Sequence, residues 1–430
     1  MLFTTTIFII VFLICYLRPH YGFVVLLNIN LIRNLINIDI VDPCLKCTSE
    51  NDVVLGALLP ILGFFIIIYR ISFSKKVVYS FDFFDYFIAA TLLLLIYTSA
   101  VSNHIYESFE YTLRYIFLCI PFFVITKLYF LNSKNFENLL YKILEFSMNF
   151  ALVFGLIAVV VVLVSGYEEE YAEYGVIMRL TIQGVHPIPF AQSIGLGLIS
   201  SLFLILRNIK KQIKSKLLFF KTALLTIILL YTNTRGVIIS FVISMFFVLV
   251  FSMKKPTISK KIISVFLITT ALLSSVVLFL LDFESLFGRF YSDESALISV
   301  FLRFVSIEDS MDIFINNLFT GIGPVGFSYI SDLPYPHNFV LDYLVFFGIF
   351  GLIAALSFII FSIDILRVTN AYKENNYLFA ILFSIFIFYA AETQVSFTLW
   401  MHKGMYLALG LFMANYSIHK RRWEIRLFLF

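Results

Sequence analysis

The stretch PHNFVLDYLVFFGIFGL, residues 336–352, marks the point where a long polar segment ends and an apolar segment begins. The apolar segment, drawn as residues 337–364, is long enough for a bilayer-spanning helix, which needs about 20 residues. His337 and Asn338 therefore lie at the predicted membrane surface. Because an imidazole has an ordinary pKa of about 6.5, His337 is a candidate for proton transfer near neutral pH. The alternative is an interfacial histidine that merely caps the helix.

The composition is typical of a polytopic membrane protein. Of the 430 residues, 61% are hydrophobic and only 13% are charged, and the mean hydropathy is +0.96. Because every backbone polar group inside a bilayer must be hydrogen-bonded, the long apolar runs predict helices rather than a barrel. We therefore expect an all-α polytopic membrane protein that forms one integral domain over residues 1–430.

Basic loops predict the orientation of the chain, because Lys and Arg that flank spans tend to stay on the cytoplasmic side. The basic segments are Lys75–Lys76, 207–216, 254–261 and 420–426. They share one side when spans are drawn at 53–73, 82–102, 109–131, 143–165, 184–206, 217–233, 236–253, 262–281, 337–364, 377–398 and 404–418. Residues 2–40 form either one span with an interfacial helix or two spans. We expect about twelve spans and a cytoplasmic C-terminus.

Two acidic segments then fall on the opposite side of the membrane. The shorter, 166–183, contains Glu168, Glu169, Glu170 and Glu173 and is interpreted as a solvated loop. The longer, 282–336, is a large periplasmic loop in this topology. A loop of this length without secondary structure is uncommon in a compact protein, so its length suggests a function.

The longer loop contains a predicted amphipathic helix over 295–319. Its apolar residues recur at three- and four-residue steps, as in a helix that lies along an apolar surface. They are Ile298, Phe301, Leu302, Val305, Met311, Phe314, Ile315 and Leu318. On another face lies a hydroxyl strip formed by Ser295, Ser299, Arg303, Ser306 and Ser310. The segment Thr320–Pro324 is predicted to end this helix.

Arginines on the translocated side run against the positive-inside bias, so they are candidate functional residues. Arg303 lies on the hydroxyl strip, and Arg235 lies in a polar break between two apolar segments. Arg179 and His186 flank the point where the chain re-enters the membrane. A guanidinium group binds phosphate oxygens bidentately, so Arg235 and Arg303 could hold a pyrophosphate. The alternatives are a turn arginine at 235 and, for Arg303, an ion pair with a loop carboxylate such as Glu308 or Asp309.

Several function classes lack sequence support. The chain has no Asp-x-Asp or His-x-x-x-His metal motif, no Walker loop and no dinucleotide signature. The net charge of +4 comes from residues sorted by membrane side, so no nucleic-acid partner is predicted. Cys44 and Cys47 lack a second pair and do not predict zinc, whereas a local disulfide stays open. We expect no metal and no cofactor. If the protein transfers a sugar, the energy for that transfer would come from a polyprenyl pyrophosphate leaving group.

Three motifs together resemble one known family. HNFVLDYL at 337–344, followed by GIFGL at 348–352, resembles the His-Asn-x-x-Leu-x-x-Leu…Gly-x-x-Gly-Leu signature of the O-antigen ligase and polymerase (Wzy-type) superfamily. Thr234-Arg235-Gly236 is similar to its Ser-Arg-Gly segment, with Thr in place of Ser. Arg303 with GIGPVGF at 321–327 is similar to its Arg…Gly-x-Gly-x-x-x-Phe stretch. The resemblance covers residues 180–365.

This resemblance implies a fold like that of the helical, lipid-sugar-dependent (GT-C) glycosyltransferases. It implies that His337, Arg235 and Arg303 surround the pyrophosphate and the acceptor, with His337 as the catalytic base. Arg179, Asn338 and His186 are further candidate substrate contacts. The implied substrate is an undecaprenyl-pyrophosphate-linked oligosaccharide, and membrane lipids and a chain-length regulator are the other expected partners.

The sequence leaves three functions to distinguish. The first is a metal-independent polymerase of O-antigen or capsule repeat units at the outer face of the bacterial inner membrane. The second is an O-antigen ligase that transfers the finished glycan to lipid A–core or to protein with the same three residues. The third is a flippase for lipid-linked oligosaccharide, although such a protein needs charges deep in a central cavity and the predicted spans are nearly free of charge.

Overall fold

The computed structural model describes most of the chain. The described residues are 2–36, 58–73, 77–165, 169–172, 175–178, 180, 187–210, 216–232, 234–252, 294–371 and 376–428. Cys44, Cys47 and the predicted span 262–281 lie outside the described residues.

Helices dominate the described residues. They are α1 (Leu2–Leu17), α2 (Pro19–Leu27), α3 (Ile29–Ile36), α4 (Leu59–Ser72), α5 (Phe83–Val101), α6 (Ile105–Leu118), α7 (Ile120–Leu131), α8 (Phe136–Ser165), α9 (Pro187–Lys210), α10 (Lys216–Tyr231), α11 (Arg235–Ser252), α12 (Glu294–Asn316), α13 (Phe327–Ile330), α14 (Phe339–Phe347), α15 (Ile349–Ala371), α16 (Asn376–Glu392) and α17 (Lys403–Phe428). A 3₁₀ helix covers Leu399–Met401. The prediction of a helical fold is therefore confirmed in its main part.

One antiparallel hairpin interrupts the helical pattern. Strand β1 (Glu169–Ala172) pairs with β2 (Gly175–Met178), with Glu169 opposite Met178. The hairpin occupies the acidic segment that the sequence suggested was a solvated loop. Tyr171, Val176 and Ile177 are residue types that favour strands, and they lie on the paired positions.

Several helices of this chain have the length and the apolar composition of membrane-spanning helices. Within the described residues, the segments Phe83–Val101, Ile105–Leu131, Phe136–Val164 and Pro187–Asn208 are long and apolar enough to cross a bilayer. The segment Ile105–Leu131 contains α6 and α7, which meet at Cys119 just before Pro121. Because proline lacks an N–H and clashes with the preceding turn, it accounts for the break. The fold is that of a helical membrane protein.

The chain divides into two compact units. The first contains Met1–Arg70, Glu137–Leu297 and Phe383–Phe388, and the second contains Ile71–Phe136, Ile298–Leu382 and Tyr389–Phe430. In the first unit α9 packs against α3, α10 and α11. The single domain expected over residues 1–430 stays a prediction.

The second unit holds the motif with which the sequence analysis began. Helix α17 packs along α7, α5 contacts α6, α14 and α15, and the 3₁₀ helix lies against α6. At one end of this unit the fully buried Lys127 ammonium contacts the carboxylates of Asp82 and Asp85. Tyr79 donates a hydrogen bond to Asp85 in the same cluster. A buried charge needs such partners, so the cluster fixes the start of α5 against the end of α7.

Two predicted spans have different bounds in the structure. The segment drawn as 337–364 is divided at Gly348 into α14 and α15. The segment drawn as 377–398 ends as a helix at Glu392. Both corrections concern the surroundings of His337, and their physical reasons lie in the contacts of the candidate site.

Candidate functional site

His337 has an unusual backbone conformation. Its φ is 57°, and within the described residues His337 and Phe397 are the non-glycine residues with positive φ. Side chains with a Cβ rarely adopt this region, and such residues typically cost about 1–3 kcal/mol and cluster at functional sites. The imidazole is half-buried and packs against the Tyr335 ring, with 4.2 Å between the ring centroids.

Asn338, not His337, caps the helix that follows. Its side-chain oxygen accepts hydrogen bonds from the backbone N–H groups of Val340 at 2.9 Å and Leu341 at 3.1 Å. These bonds satisfy N–H groups that have no partner inside the first turn of α14. The capping role considered for His337 therefore falls to Asn338, and the histidine lies one residue outside the helix.

The segment 393–402, which follows α16, braces this helix start. The Asn338 side-chain amide donates to the Gln394 carbonyl at 2.9 Å, and the Phe339 N–H donates to the Thr393 carbonyl at 3.0 Å. Both ends of the Asn338 amide thus have protein partners. In the structure Asn338 therefore links the start of α14 to the segment 393–402, and its role as a substrate contact stays a prediction.

Asp342 forms hydrogen bonds with the same segment. Its carboxylate is buried, and Oδ2 accepts hydrogen bonds from the Thr398 hydroxyl at 2.9 Å and the Leu399 N–H at 2.8 Å. Thr398 is also in hydrogen-bond contact with the Tyr111 hydroxyl at 2.7 Å. These bonds hold the segment 393–402, which in turn contacts Asn338 and Phe339.

The hydroxyl strip of α12 packs against the chain immediately before His337. Ser306 donates to the Pro336 carbonyl at 2.7 Å, and Ser310 donates to the Ser306 carbonyl at 2.6 Å. Both serines are buried. Ser306 of the predicted strip therefore contacts the histidine segment, and Ser310 is buried one turn later.

Arg303 lies one turn before Ser306 on the same face of α12. Its side chain is exposed, and within the described residues it has no ion-pair partner. Asp309, one of the carboxylates considered as its partner, instead accepts a hydrogen bond from the Ser331 hydroxyl at 2.5 Å. The ion pair with Glu308 or Asp309 that the sequence left open for Arg303 therefore does not occur within the described residues.

Two positive-φ glycines of the 321–327 motif close the far end of α14. The N–H of Ile322 donates to the Val345 carbonyl at 3.0 Å, and that of Gly323 donates to the Phe346 carbonyl at 3.3 Å. Gly321 has a φ of +63°, and a Cβ there would lie 2.3 Å from the Phe346 carbonyl oxygen. The motif therefore supplies hydrogen bonds to helix-end carbonyls that would otherwise lack partners.

Gly348 and Gly351 explain the break in the predicted span. Gly348 has a φ of +60°, and a Cβ there would meet the Leu318 carbonyl oxygen at 2.3 Å. The next N–H, from Ile349, donates to that carbonyl at 2.7 Å. A Cβ at Gly351 would lie 1.7 Å from the Tyr343 carbonyl oxygen. The Gly-x-x-Gly spacing thus makes room for a short helix, α14, to turn into a long one.

Arg235 lies in the first unit, at the start of α11. The preceding Thr234 is buried, and its hydroxyl donates to the Thr232 carbonyl at 3.1 Å. The half-buried Arg235 is the first residue of the helix. A helix N-terminus is itself electropositive, so a cation there is unfavourable unless an anion balances it. The assignment of Arg235 as a pyrophosphate ligand stays a prediction.

The remaining candidates can be placed only in part. Arg179 and His186 lie outside the described residues. Arg303, His337 and Asn338 belong to the second unit, and Arg235 belongs to the first. Within the described residues, no group of three or more His, Cys, Asp or Glu side chains could hold a metal ion.

The segment 393–402 is the part of the site that the sequence analysis missed. The spans drawn from the sequence place residues 393–398 in the span 377–398, because that run is mostly apolar, and leave residues 399–402 in the connection to the next span. The available signal was the polar run ETQVSFT at 392–398, which is unusual inside a membrane span. The structure shows why the run is polar: these residues contact Asn338, Phe339 and Asp342.

The fold and site together define a polytopic helical membrane protein with a strained histidine at the start of a capped helix. A family model described as O-antigen ligase matches residues 220–356, about a third of the chain. The match contains Arg235, Arg303, His337, Asn338 and both glycine motifs. It confirms the resemblance to the O-antigen ligase and polymerase superfamily. Searches of curated proteins and of solved structures each found no match.

Proposed function

We propose that this protein is a glycosyltransferase that uses a polyprenyl-pyrophosphate-linked glycan as donor, and that it polymerises O-antigen or capsule repeat units. The observation that carries the proposal is the conformation of His337. His337 has a φ of 57° and lies one residue before the N-cap of α14, which is Asn338. Strain of this kind is expected where a side chain must face a substrate.

The proposed chemistry is a direct displacement at the anomeric carbon. A hydroxyl oxygen of the acceptor forms the new glycosidic bond while the bond from that carbon to the pyrophosphate oxygen breaks. The neutral imidazole of His337 takes the hydroxyl proton, and the pyrophosphate leaves with the bonding electron pair. With one base and no second carboxylate in the motif, inversion at the anomeric carbon is expected.

Arg235 and Arg303 carry positive charges that can stabilise the pyrophosphate leaving group. Arg303 is exposed and has no ion-pair partner among the described residues, and Arg235 begins helix α11. A fixed guanidinium stabilises charge that develops on a departing phosphate, and the helix N-terminus at Arg235 adds to this effect. We propose both as pyrophosphate ligands, so the reaction requires no metal.

The setting of this reaction is also a proposal. We place the chain in the bacterial inner membrane with about twelve spans and a GT-C-like fold. The loop 282–336, with its amphipathic helix, lies on the periplasmic face. The donor is an undecaprenyl-pyrophosphate-linked oligosaccharide, and a chain-length regulator is a further partner.

The second candidate is a ligase that transfers the completed glycan to lipid A–core or to a protein hydroxyl. The description of the matching family favours it. The same base and leaving-group ligands serve both reactions, so the acceptor alone distinguishes them.

The test is the glycan profile of cells that lack the protein, analysed on a gel beside complemented cells. A single repeat unit on each core indicates a polymerase, which is the expected result. Cores without any glycan indicate the ligase. Lipid-linked units that accumulate on the cytoplasmic side indicate a flippase and contradict the transferase proposal.

A further inference from the structure

The outer end of α6 has a charged face beside a rare aromatic residue. Glu107, Glu110 and Arg114 recur at three- and four-residue steps, and all three are exposed. Arg114 pairs with Glu110, and its guanidinium carbon lies 5.1 Å from the centre of the Trp400 ring. Charged side chains on a helix of this kind face water rather than hydrocarbon. Glu110 and Arg114 lie in the first two turns of the predicted span 109–131, so we take this end of α6, and Trp400 beside it, to lie at the membrane–water interface.

The backbone that presents Trp400 is firmly held. The Cys119 thiol donates to the Trp400 carbonyl at 2.9 Å. The neighbouring Leu399 N–H and Thr398 hydroxyl both bind Asp342. Phe397, three residues earlier, has a φ of 66°. The half-exposed indole is therefore attached to a backbone that is already held in place. Binding a ligand there requires little further ordering of the chain, so little binding free energy is lost.

The same segment extends to the proposed catalytic base. Its first residues, Thr393 and Gln394, bind the start of α14 next to His337, and Trp400 follows seven residues later. Seven extended residues span at most about 25 Å. The contacts of this segment with the start of α14 and the Trp400 backbone are therefore no further apart than about 25 Å, which is within the length of a short oligosaccharide.

The chemistry of this surface matches a sugar ring. A pyranose has a flat C–H face and a rim of hydroxyl groups. An indole offers a flat apolar surface for the first, whereas the Glu110 carboxylate can accept and the Arg114 guanidinium can donate hydrogen bonds to the second. Pockets for small polar molecules combine such aromatic faces with a few placed polar groups.

We propose that Trp400, Glu110 and Arg114 form a subsite that binds a sugar ring of the acceptor glycan. The identification of the bound glycan as the acceptor rests on the proposed transferase function. The binding of a glycan at this subsite does not. The other role for a tryptophan in this position is membrane anchoring in an aromatic belt, as for the exposed Tyr106 on the same helix. The two roles predict different measurements.

Binding can be measured directly because the chain contains only two tryptophans. In purified full-length Trp423→Phe protein in lipid nanodiscs, Trp400 is the sole indole reporter. The probe is the free oligosaccharide repeat, released by mild acid from the polysaccharide of the cells that make the protein. We expect a saturable change in fluorescence, and at least a tenfold weaker Kd in Glu110→Gln and Arg114→Gln variants. Tyr106→Phe is the matched control and should bind as tightly as the parent.

A kinetic measurement separates the subsite from membrane anchoring. Trp400→Leu should raise KM for the acceptor at least tenfold and change kcat by less than about threefold. No saturable fluorescence change, or an unchanged KM with reduced protein in the membrane, would overturn the subsite.

The subsite and the transferase function can fail separately. His337→Ala in the Trp423→Phe background should retain the fluorescence response while transfer is lost, and this result supports the subsite. Glycan binding by a protein that forms no glycosidic bond would reject the transferase and leave the subsite standing. Transfer with unchanged kinetics in all three subsite variants would reject the subsite alone.

Discussion

At the residue scale, adjacent side chains of the site have different structural roles. Asn338 supplies the cap of α14 and a bond to Gln394, so His337 has no share in capping the helix start. Tyr335 packs on the imidazole, and Ser306 holds the Pro336 carbonyl. Burial, and then the charge of Asp342, raise the pKa of Tyr335 above its usual value, so this tyrosine stays neutral beside the histidine.

His337→Ala should abolish chain growth without reducing protein level or donor binding. A general base typically contributes about 10² to 10⁴ in rate, because it removes the proton that develops on the attacking oxygen. The wild-type rate should also fall as the pH is lowered through the range in which an imidazole takes up a proton. The assay is elongation of lipid-linked repeats by purified protein.

His186→Ala is the control for this experiment and should cost much less activity. Elongation by His337→Ala within about threefold of the wild-type rate would assign the histidine a structural role. Catalysis would then rest on leaving-group stabilisation by the arginines.

Arg235→Lys and Arg303→Lys should each lower activity at least tenfold, which equals about 1.4 kcal/mol of transition-state stabilisation. Lysine keeps the charge but loses the planar fork that binds two phosphate oxygens. Arg207→Lys is a matched control, because Arg207 lies over the Tyr141 ring at 3.9 Å and has no proposed role in transfer. Normal ladders from both test variants, with normal amounts in the membrane, would remove the pyrophosphate assignment.

Residue types at the site could be predicted from the sequence, whereas their roles could be predicted only in part. Its rarity on the predicted external side made Arg303 a candidate pyrophosphate ligand, and that role stays a prediction; the alternative ion pair with Glu308 or Asp309 does not occur among the described residues. The assignment of the cap to Asn338 could not be predicted, because His337 and Asn338 both precede an apolar run. Only the φ of His337 and the bonds to Val340 and Leu341 distinguish them.

At the element scale, glycines decide how the short helix α14 is closed. Hydropathy predicted one continuous span over 337–364. It measures the transfer of side chains from water to an apolar phase and contains no information on which groups hydrogen-bond to the backbone. The partners come from far along the chain: Ile322 and Leu318 bind the region around Val345 and Ile349. Such non-local bonds cannot be inferred from the local sequence, although the Gly-x-Gly and Gly-x-x-Gly spacings mark where they occur.

Gly321→Ala should destabilise the protein more than Gly323→Ala. Both glycines have positive φ, so alanine adds backbone strain of about 1 kcal/mol or more at either position. At Gly321 the added Cβ would also lie 2.3 Å from a backbone oxygen, whereas at Gly323 the closest atom is at 3.2 Å. The thermal midpoint of each purified variant measures the difference. Equal midpoints would mean that the loop can move away from α14.

His402 should make the 393–402 segment sensitive to acid. It is buried, its Nε2 has no hydrogen-bond partner among the described residues, and burial lowers the pKa of His402 to about 3. Between that value and the ordinary value of about 6.5, the unfolded chain binds a proton that the folded chain does not. Stability therefore falls as the pH drops below about 6.5, by about 2 kcal/mol at pH 5.

The measurement compares thermal midpoints at pH 7 and pH 5. The acid-induced decrease should be smaller in His402→Gln, and it should persist in His104→Gln, whose parent ring is only half-buried and stacks on Tyr329. The same His402→Gln protein helps to separate acid unfolding from protonation of His337, because only the latter should still lower its rate at pH 5. An unchanged acid response in His402→Gln would mean that another group carries it.

At the scale of the whole molecule, the second unit gives a physical argument for orientation. Its Lys127 cluster fixes the start of α5, which follows in sequence a basic pair, Lys75–Lys76, that is expected on the cytoplasmic side. Helix α5 then runs for 19 residues, about 28 Å at 1.5 Å per residue. At its other end His104 stacks on Tyr329, with 3.4 Å between ring centroids. The loop that carries Tyr329 therefore lies at the opposite end of α5 from the Lys127 cluster, and its placement on the periplasmic side stays a prediction.

This geometry makes the labelling of single cysteines a direct test of the active face. In a background with all four native cysteines replaced by serine, a cysteine at the exposed Ser328 should react with a membrane-impermeant thiol reagent in cells whose outer barrier is permeabilised. A cysteine at Ser215, in a basic segment outside the described residues, should react only after the inner membrane is opened. Serine at position 119 keeps a donor for the Trp400 carbonyl, so the background should retain the 393–402 segment. The reverse labelling pattern would place His337 on the cytoplasmic face, where lipid-linked repeats are assembled before export, and a periplasmic polymerase would then be untenable.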